Sequence, residues 1–214
     1  MARINNGFLS GISGSLGNLI FYKLNGKTVV RQKPGPRNYV SSEPQLYQQR
    51  SFAVGQKFLT PLRNILNQIH RHKRSGSLNG MNATLSWVLK NAMENNAGTP
   101  ILIPEKIYLH RGYLIHLDNL MVERLEEKTI RITWSVNSST DFWREHEKFQ
   151  VIAYVPDRKL VFWQQEGNYR KSGLQIIQLP WSQANEDQVL LFGGFFSLER
   201  NKGEYSDIIY LGRV

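Results

Sequence analysis

Two short apolar runs stand near the start of the chain, LIFYKL from Leu19 and KTVVRQ from Lys27, with only Asn25 and Gly26 between them. Asn-Gly joining such runs is the strongest short-range hairpin signal, because a type I′ turn needs positive φ at both central residues. A two-residue loop sets Tyr22 opposite Val29 and Phe21 opposite Val30. These pairs fall on opposite faces of the ribbon, so both faces are apolar. A lone two-stranded hairpin is marginal in water. The ribbon is therefore expected to be sandwiched, by the rest of the chain or by a partner. Phe21, Tyr22, Val29 and Val30 become the candidate insertion residues.

The hydrophobic period then changes. KPGPRNY, residues 33–39, punctuates the chain, and Ser41 or Ser42 can cap a helix with Pro44 in its first turn. Leu46, Ala53, Phe58, Leu62, Ile65, Leu66 and Ile69 recur at helical spacing and predict one buried face. Pro61 is expected to kink or divide that helix. After a loop at Ser75–Ser77, Met81, Leu85, Val88, Leu89, Ala92 and Met93 predict a second amphipathic helix, closed by NNAG, residues 95–98. The two together predict a helical hairpin.

Beyond Pro100 short β-rich segments recur, at Ile107–Leu117, Thr129–Val136, Phe149–Val155, Leu160–Gln164, Leu174–Leu179, Val189–Phe196 and Ser206–Leu211. TIRITWSV alternates, which puts Ile130, Ile132, Trp134 and Val136 on one face. Seven such segments separated by turn residues predict an antiparallel, immunoglobulin-like sandwich. The fold expected is α+β. A Gly-rich segment with a basic β-hairpin occupies residues 1–40, a helical hairpin 41–99, and the β-sandwich 105–214.

Charge adds direction to this picture. The 214 residues carry a formal charge of +10, and the excess is confined to one part of the chain. Residues 1–104 hold thirteen Lys/Arg against two acids, Glu43 and Glu94, whereas residues 105–214 hold fourteen against fifteen. A one-sided field of this kind attracts polyanions and speeds their encounter. The candidate partner- or polyanion-binding residues are Lys23, Lys27, Arg31, Lys33, Arg37, Arg50, Arg71, Lys73 and Arg74. Phe21, Tyr22 and Tyr39 lie among the first of these, giving rings beside cations as single-strand binding requires.

Signatures of chemistry are few. Gly7, Gly11, Gly14 and Gly17 match neither the dinucleotide-binding nor the P-loop spacing, and GISGS lacks the last glycine of a nucleophile elbow. These glycines read as turns or close backbone approaches. There is no Cys, which removes disulfides and thiolate metal sites. His70 and His72 are two apart on a helix end and point to different faces, while His110, His116 and His146 are scattered. Asp141, Glu145 and Glu147 cluster with His146, but Arg144 and Lys148 interleave, so a solvated loop with local ion pairs is expected rather than an acid–base pair. Trp134, Trp143, Trp163, Trp181, Phe192, Phe195 and Phe196 are expected mostly in the core. No catalytic residue, cofactor or metal site is assigned.

NGFLSGISGSLGNLIFYKLNGKTVVRQKP, followed by PQLYQQRSFAVGQKFL, resembles an uncharacterised family of Gram-negative bacteria, a domain of unknown function. Gly14, Gly17, Gly26, Arg31, Pro34, Gln45, Gln48 and Arg50 occupy the places of its Gly-spaced, Arg-x-x-Pro and Gln-x-x-Gln-Arg pattern. The ending YSDIIYLGRV is similar to endings in that family. The resemblance supports the architecture and implies no catalytic residue. The β-rich half also resembles, loosely, a fibronectin type III sandwich.

The function expected is that of a non-enzymatic assembly or adaptor protein, engaging a protein partner or itself through the basic N-terminal region. Sequence-insensitive nucleic-acid binding is the alternative. Carbohydrate binding by sandwich aromatics is a third reading. With no apolar run near the ~20 residues of a membrane span and no secretory pattern at the start, a soluble cytoplasmic protein is expected.

Overall fold

The computed structural model describes residues 2–4, 11–24, 26–36, 40–70, 79–112, 114, 119–136, 146–181, 188–197 and 204–214. The fold is α+β. Contacts divide the chain into two compact units, Met1–Ser42 and Glu43–Val214.

The first unit is a four-stranded antiparallel sheet in the order β1-β4-β3-β2, built from β1 (Ala2–Ile4), β2 (Gly14–Leu16), β3 (Leu19–Leu24) and β4 (Lys27–Gln32). The expected hairpin is its centre, with Tyr22 paired to Val29 and Phe21 to Val30. Gly26 takes φ of 78°, the left-handed conformation the two-residue loop demands. Strands β1 and β2, which the hydrophobic pattern did not disclose, flank the ribbon and supply the additional pairing that a bare hairpin lacks. Phe21 and Val29, on opposite faces, are both buried.

In the second unit α1 (Glu43–Leu59) begins with Pro44 in its first turn, where the missing N–H costs nothing. Pro61 then does divide the helix: a 3-10 turn at Thr60–Leu62 separates α1 from α2 (Arg63–Ile69). The buried face runs through Ser51, Gly55, Phe58, Leu59, Leu62, Leu66 and Ile69, while Ala53, expected on it, is exposed. Helix α3 (Gly80–Asn91) is capped by Asn79, whose side chain accepts the Asn82 N–H at 2.8 Å. Its first residue touches α2 so closely that a Cβ at Gly80 would lie 2.2 Å from the Leu66 carbonyl oxygen. Only glycine permits that approach.

One expected element is corrected at this point. NNAG is not simply the end of a helix. Residues 97–98 form the loop of a hairpin between β5 (Met93–Asn96) and β6 (Thr99–Leu102), with Ala97 at φ 48° and Gly98 at φ 84°. The loop has the geometry of an Asn-Gly turn with Ala in the first place, so its usual sequence mark is missing.

The remaining strands are β7 (Tyr108–His110), β8 (Met121–Arg124), β9 (Thr129–Thr133), β10 (Lys148–Val155), β11 (Leu160–Gln164), β12 (Leu174–Gln178), β13 (Leu190–Ser197), β14 (Glu204–Tyr205) and β15 (Ile208–Arg213). They form a six-stranded sheet along β11-β10-β13-β15-β7, with β14 paired to β13, and a three-stranded sheet β12-β9-β8. The ladder pairs within both sheets are antiparallel. Two cores result. Even-numbered residues of β10 and β13, among them Ile152, Tyr154, Leu190, Phe192 and Phe196, pack with Phe58, Leu62, Leu66, Leu85 and Val88 of the helices. Odd-numbered residues Phe149, Val151, Ala153, Leu191 and Phe195 pack with Ile130, Ile132, Trp134 and Ile177 of the smaller sheet.

The unit thus has three layers: helices, large sheet, small sheet. Its central strands are covered on both faces, and seven of the eight residues of β10 are buried. That explains why VIAYV reads as a continuous apolar run rather than as an alternation. Val136, expected to extend the buried face of β9, is 48% exposed because the strand ends at Thr133. The helical layer is fastened to the sheet by the Tyr154 hydroxyl, which donates to the Phe58 carbonyl at 2.9 Å. Among the described residues no helix is long and apolar enough to cross a membrane.

Candidate functional site

The N-terminal sheet gathers four of the expected cations. Residues 1–42 contain six Lys/Arg and no Asp or Glu. Lys23, Lys27, Arg31 and Lys33 are all exposed. Strand alternation puts Lys23 on the face of Phe21, and Lys27 and Arg31 on the face of Tyr22 and Val29. The Arg31 guanidinium lies over the Tyr22 ring, 5.8 Å from its centroid. Lys33 follows β4 directly, where its backbone N–H donates to Asn18 at 2.8 Å. With no carboxylate in the unit, these cations have no internal counter-charge from their own segment, and their field adds. Leu16, Leu19 and Leu24 of the same sheet are exposed as well.

The insertion residues are placed differently from one another. Phe21 and Val29 are covered within the chain as it stands, whereas Tyr22 and Val30 are half-buried. The apolar groups that the sheet presents to solvent are the three leucines. Arg50 belongs to α1 in the second unit, where its guanidinium donates to the Gly98 carbonyl at 3.3 Å. Arg37, Arg71, Lys73 and Arg74 lie outside the described residues, as do Tyr39, His72, His116, Asp141, Trp143, Arg144 and Glu145.

The acidic segment around His146 is corrected in one respect. Glu147 is not a solvated loop residue; its side chain is 5% exposed and paired with Arg170 at 2.5 Å. The guanidinium also sits 3.7 Å from the centre of the Phe195 ring. This is a structural ion pair closing the edge of the sandwich core. Of the aromatic residues, Trp134, Phe192, Phe195 and Phe196 are buried, and Trp163 and Trp181 pack against the two cores, as expected.

Sequence reasoning missed a cleft. A cavity of about 270 Å³ opens between α3 and β7. Thr84 and His110 are buried in its wall, 2% and 3% exposed. His70 packs edge-on against His110 with ring centres 4.6 Å apart, and its Nε2 donates to the Leu109 carbonyl at 3.1 Å. The Thr84 hydroxyl lies within reach of the same carbonyl at 2.9 Å. At the mouth, Trp87 and Tyr108 stand 5.3 Å apart, and the Arg111 guanidinium is 4.8 Å from the Trp87 ring centre. Three amides in the first turn of α3 are engaged: Met81 donates to the Asn67 side chain, Asn82 to the Asn79 side chain and Ala83 to the Asn79 carbonyl. No motif spans these residues, because the end of α2 supplies His70, α3 supplies Thr84 and Trp87, and β7 with the residue after it, more than twenty positions later, supplies Tyr108, His110 and Arg111. Tertiary structure fixes where that strand lies: β7 pairs with β15, and its Leu109 carbonyl meets His70 and Thr84 of the helical layer.

Comparison with known families gives one match. The model of DUF6266, a family of unknown function, matches residues 11–212. The chain belongs to DUF6266. The match runs from Gly11 to Gly212 in β15, so it covers β2, β3 and β4 of the N-terminal sheet and nearly all of the second unit, while β1 lies before it. No curated protein sequence matches the DUF6266 chain.

Proposed function

We propose that this DUF6266 protein is a non-enzymatic assembly or adaptor protein that engages an acidic protein partner through its N-terminal sheet. One observation carries the reading: a separate compact unit with six cations and no acid exposes Lys23, Lys27, Arg31 and Lys33 together. Surface charge of one sign governs encounter with partners and contributes little to the fold. The exposed leucines beside the cations add the apolar contact that a durable interface needs at its centre. The three-layer unit serves as the stable body. The absence of cysteine suits a reducing compartment, and the reading places the protein in the cytoplasm.

A second reading, sequence-insensitive nucleic-acid binding, draws on the Arg31–Tyr22 contact. A ring and a guanidinium on one strand face are the elements that hold a stacked base and its phosphate. Fluorescence anisotropy separates the two readings. The full chain is titrated into a labelled acidic peptide and a labelled single-stranded oligonucleotide of equal charge, at low and at moderate salt. Preference for the peptide supports the adaptor reading. Preference for the oligonucleotide, with affinity falling steeply with salt, supports the second. If neither binds, or if Gln at positions 23, 27, 31 and 33 changes nothing, both readings fail.

A further inference from the structure

Sheet edges present unpaired N–H and C=O groups, and native folds guard them with short strands, charges, proline or covering groups. The described edges of this chain follow that rule with one exception. Strands β1, β2 and β7 have three residues each. Strand β5 carries Glu94, β6 carries Pro100, and β8 carries Glu123 and Arg124. On β12, bonded inward through Gly173 and Leu179, the outward carbonyls of Leu174 and Ile176 accept the Asn168 and Gln175 side-chain amides, both at 2.7 Å. Strand β11 has none of these devices. Leu160–Gln164 contains no charge and no proline, its residues are half-buried, and its ladder with β10 runs without a bulge. We infer that the outer edge of β11 pairs antiparallel with β11 of a second copy of this chain.

The hydrogen-bond phase shows which groups point outward. Phe149 of β10 gives its N–H to Asn168 and accepts the Gly167 N–H, both at 2.8 Å, so it faces the β11 side. Direction alternates along a strand, so Val151, Ala153 and Val155 face the same way and bond Gln164, Phe162 and Leu160. Val161 and Trp163 therefore turn their N–H and C=O groups away from β10. Among the described residues no group bonds to them there.

Self-complementarity identifies the occupant. With Phe162 on a two-fold axis, Val161 exchanges bonds with Trp163 of the second copy, and Trp163 with its Val161. Opposite residues share a face. Val161 thus meets an indole on the helical side, where both residues already pack, and the Phe162 rings meet on the small-sheet side. Aromatic residues opposite β-branched or aromatic ones are favourable cross-strand pairs. The charges at the ends match as well. Arg158 and Lys159 precede the strand and Glu166 follows it, so antiparallel alignment brings Arg158 beside Glu166 of the second copy. Asp157 offsets one cation and Lys148 pairs with Glu166 at 2.6 Å, so these ends set the register rather than supply the affinity. A strand of another protein would find the same backbone groups without this two-way match.

Sedimentation equilibrium and residue-resolved amide hydrogen exchange on the full chain test the pairing. The expected result is a monomer–dimer equilibrium. As concentration rises, exchange at the Val161 and Trp163 amides slows by about tenfold or more, whereas Phe162 and Gln164 are protected at every concentration. Val161→Pro removes an outward N–H and leaves the β10 ladder its bonds, as proline on an edge strand does, and is expected to give a folded monomer. Arg158→Glu sets like charges side by side and is expected to weaken the dimer roughly tenfold. A monomer at every concentration up to about 1 mM overturns the proposal and leaves the edge to a strand of another protein. So does a dimer whose Val161 and Trp163 amides exchange as in the monomer. A Val161→Pro or Arg158→Glu chain that dimerises as tightly as the unaltered one overturns it too. Should Val161→Pro fail to fold, the exchange pattern decides alone.

Discussion

Arg170 and Glu147 form an ion pair at the edge of the sandwich core, with Arg170 Nε donating to Glu147 Oε2 at 2.7 Å and side chains 14% and 5% exposed. The backbone reinforces it, for the Arg170 N–H donates to the Glu147 carbonyl, also at 2.7 Å. The Arg170 carbonyl in turn accepts the Trp134 indole N–H at 2.8 Å. One residue therefore ties the segment before β10 to the core of the small sheet.

Removing one partner strands a charge in a desolvated site, which costs far more than the pair gains when intact. Arg170→Met is expected to destabilise the protein by roughly 3–5 kcal/mol. The double change Glu147→Leu with Arg170→Met is expected to recover most of that loss, since no buried charge is left. Urea unfolding followed by tryptophan fluorescence measures both. A double variant as unstable as the single one would show that packing on Phe195, not charge, holds this corner.

The 97–98 loop offers a change in the opposite direction. Ala97 sits at φ 48°, which costs a residue with a Cβ roughly 1 kcal/mol. Asn tolerates that conformation and is favoured ahead of Gly in this turn. Ala97→Asn is thus expected to stabilise the protein by up to about 1 kcal/mol, read as a raised thermal midpoint. The position is exposed, so no packing is disturbed.

Alkaline pH acts on the join between helices and sheet. Burial, with a smaller push from the Asp157 carboxylate, raises the Tyr154 hydroxyl from its ordinary value near 10 to about 12. The folded chain therefore keeps a proton that the unfolded chain gives up first. The stabilisation is complete below pH 10 and is lost as pH rises toward 12. Denaturant midpoints are expected to fall across that window. Tyr154→Phe should shallow the fall and lower stability at neutral pH by about 1 kcal/mol, because the Phe58 carbonyl loses its donor. Some slope remains, since burial also raises Tyr205 and Tyr210.

What the sequence discloses, and what it hides, follows from the range of the forces involved. The register of β3 and β4 was readable because two turn residues set it locally. The break at Pro61 was readable because a missing N–H acts on its own turn. Strand β5 was hidden, since Met93 and Ala92 continue a helical period and Ala97 replaces the Asn that would have announced a loop. Strand β8 was hidden too; MVER has no β-rich run and owes its pairing to β9. The burial of Glu147 depends on Arg170, 23 residues away, and the cleft depends on where β7 docks. Local grammar carries no signal for either. The basic unit was the converse case: an acid-free stretch of 42 residues remains cationic whichever face each of its cations takes.

The two-sided burial of β10 also bears on synthesis. Phe58 and Tyr154, which join helix to sheet, are 96 residues apart in the chain. At a ribosomal rate of roughly 5–20 residues per second, about 5–20 s separate the emergence of the two. Throughout that interval the central strands β10 and β13 are missing from the core that holds Leu59, Leu62 and Leu66. The nascent helices are therefore a natural client for a holdase, and slowing translation within the helix-to-sheet interval should raise the aggregated fraction without altering the finished fold.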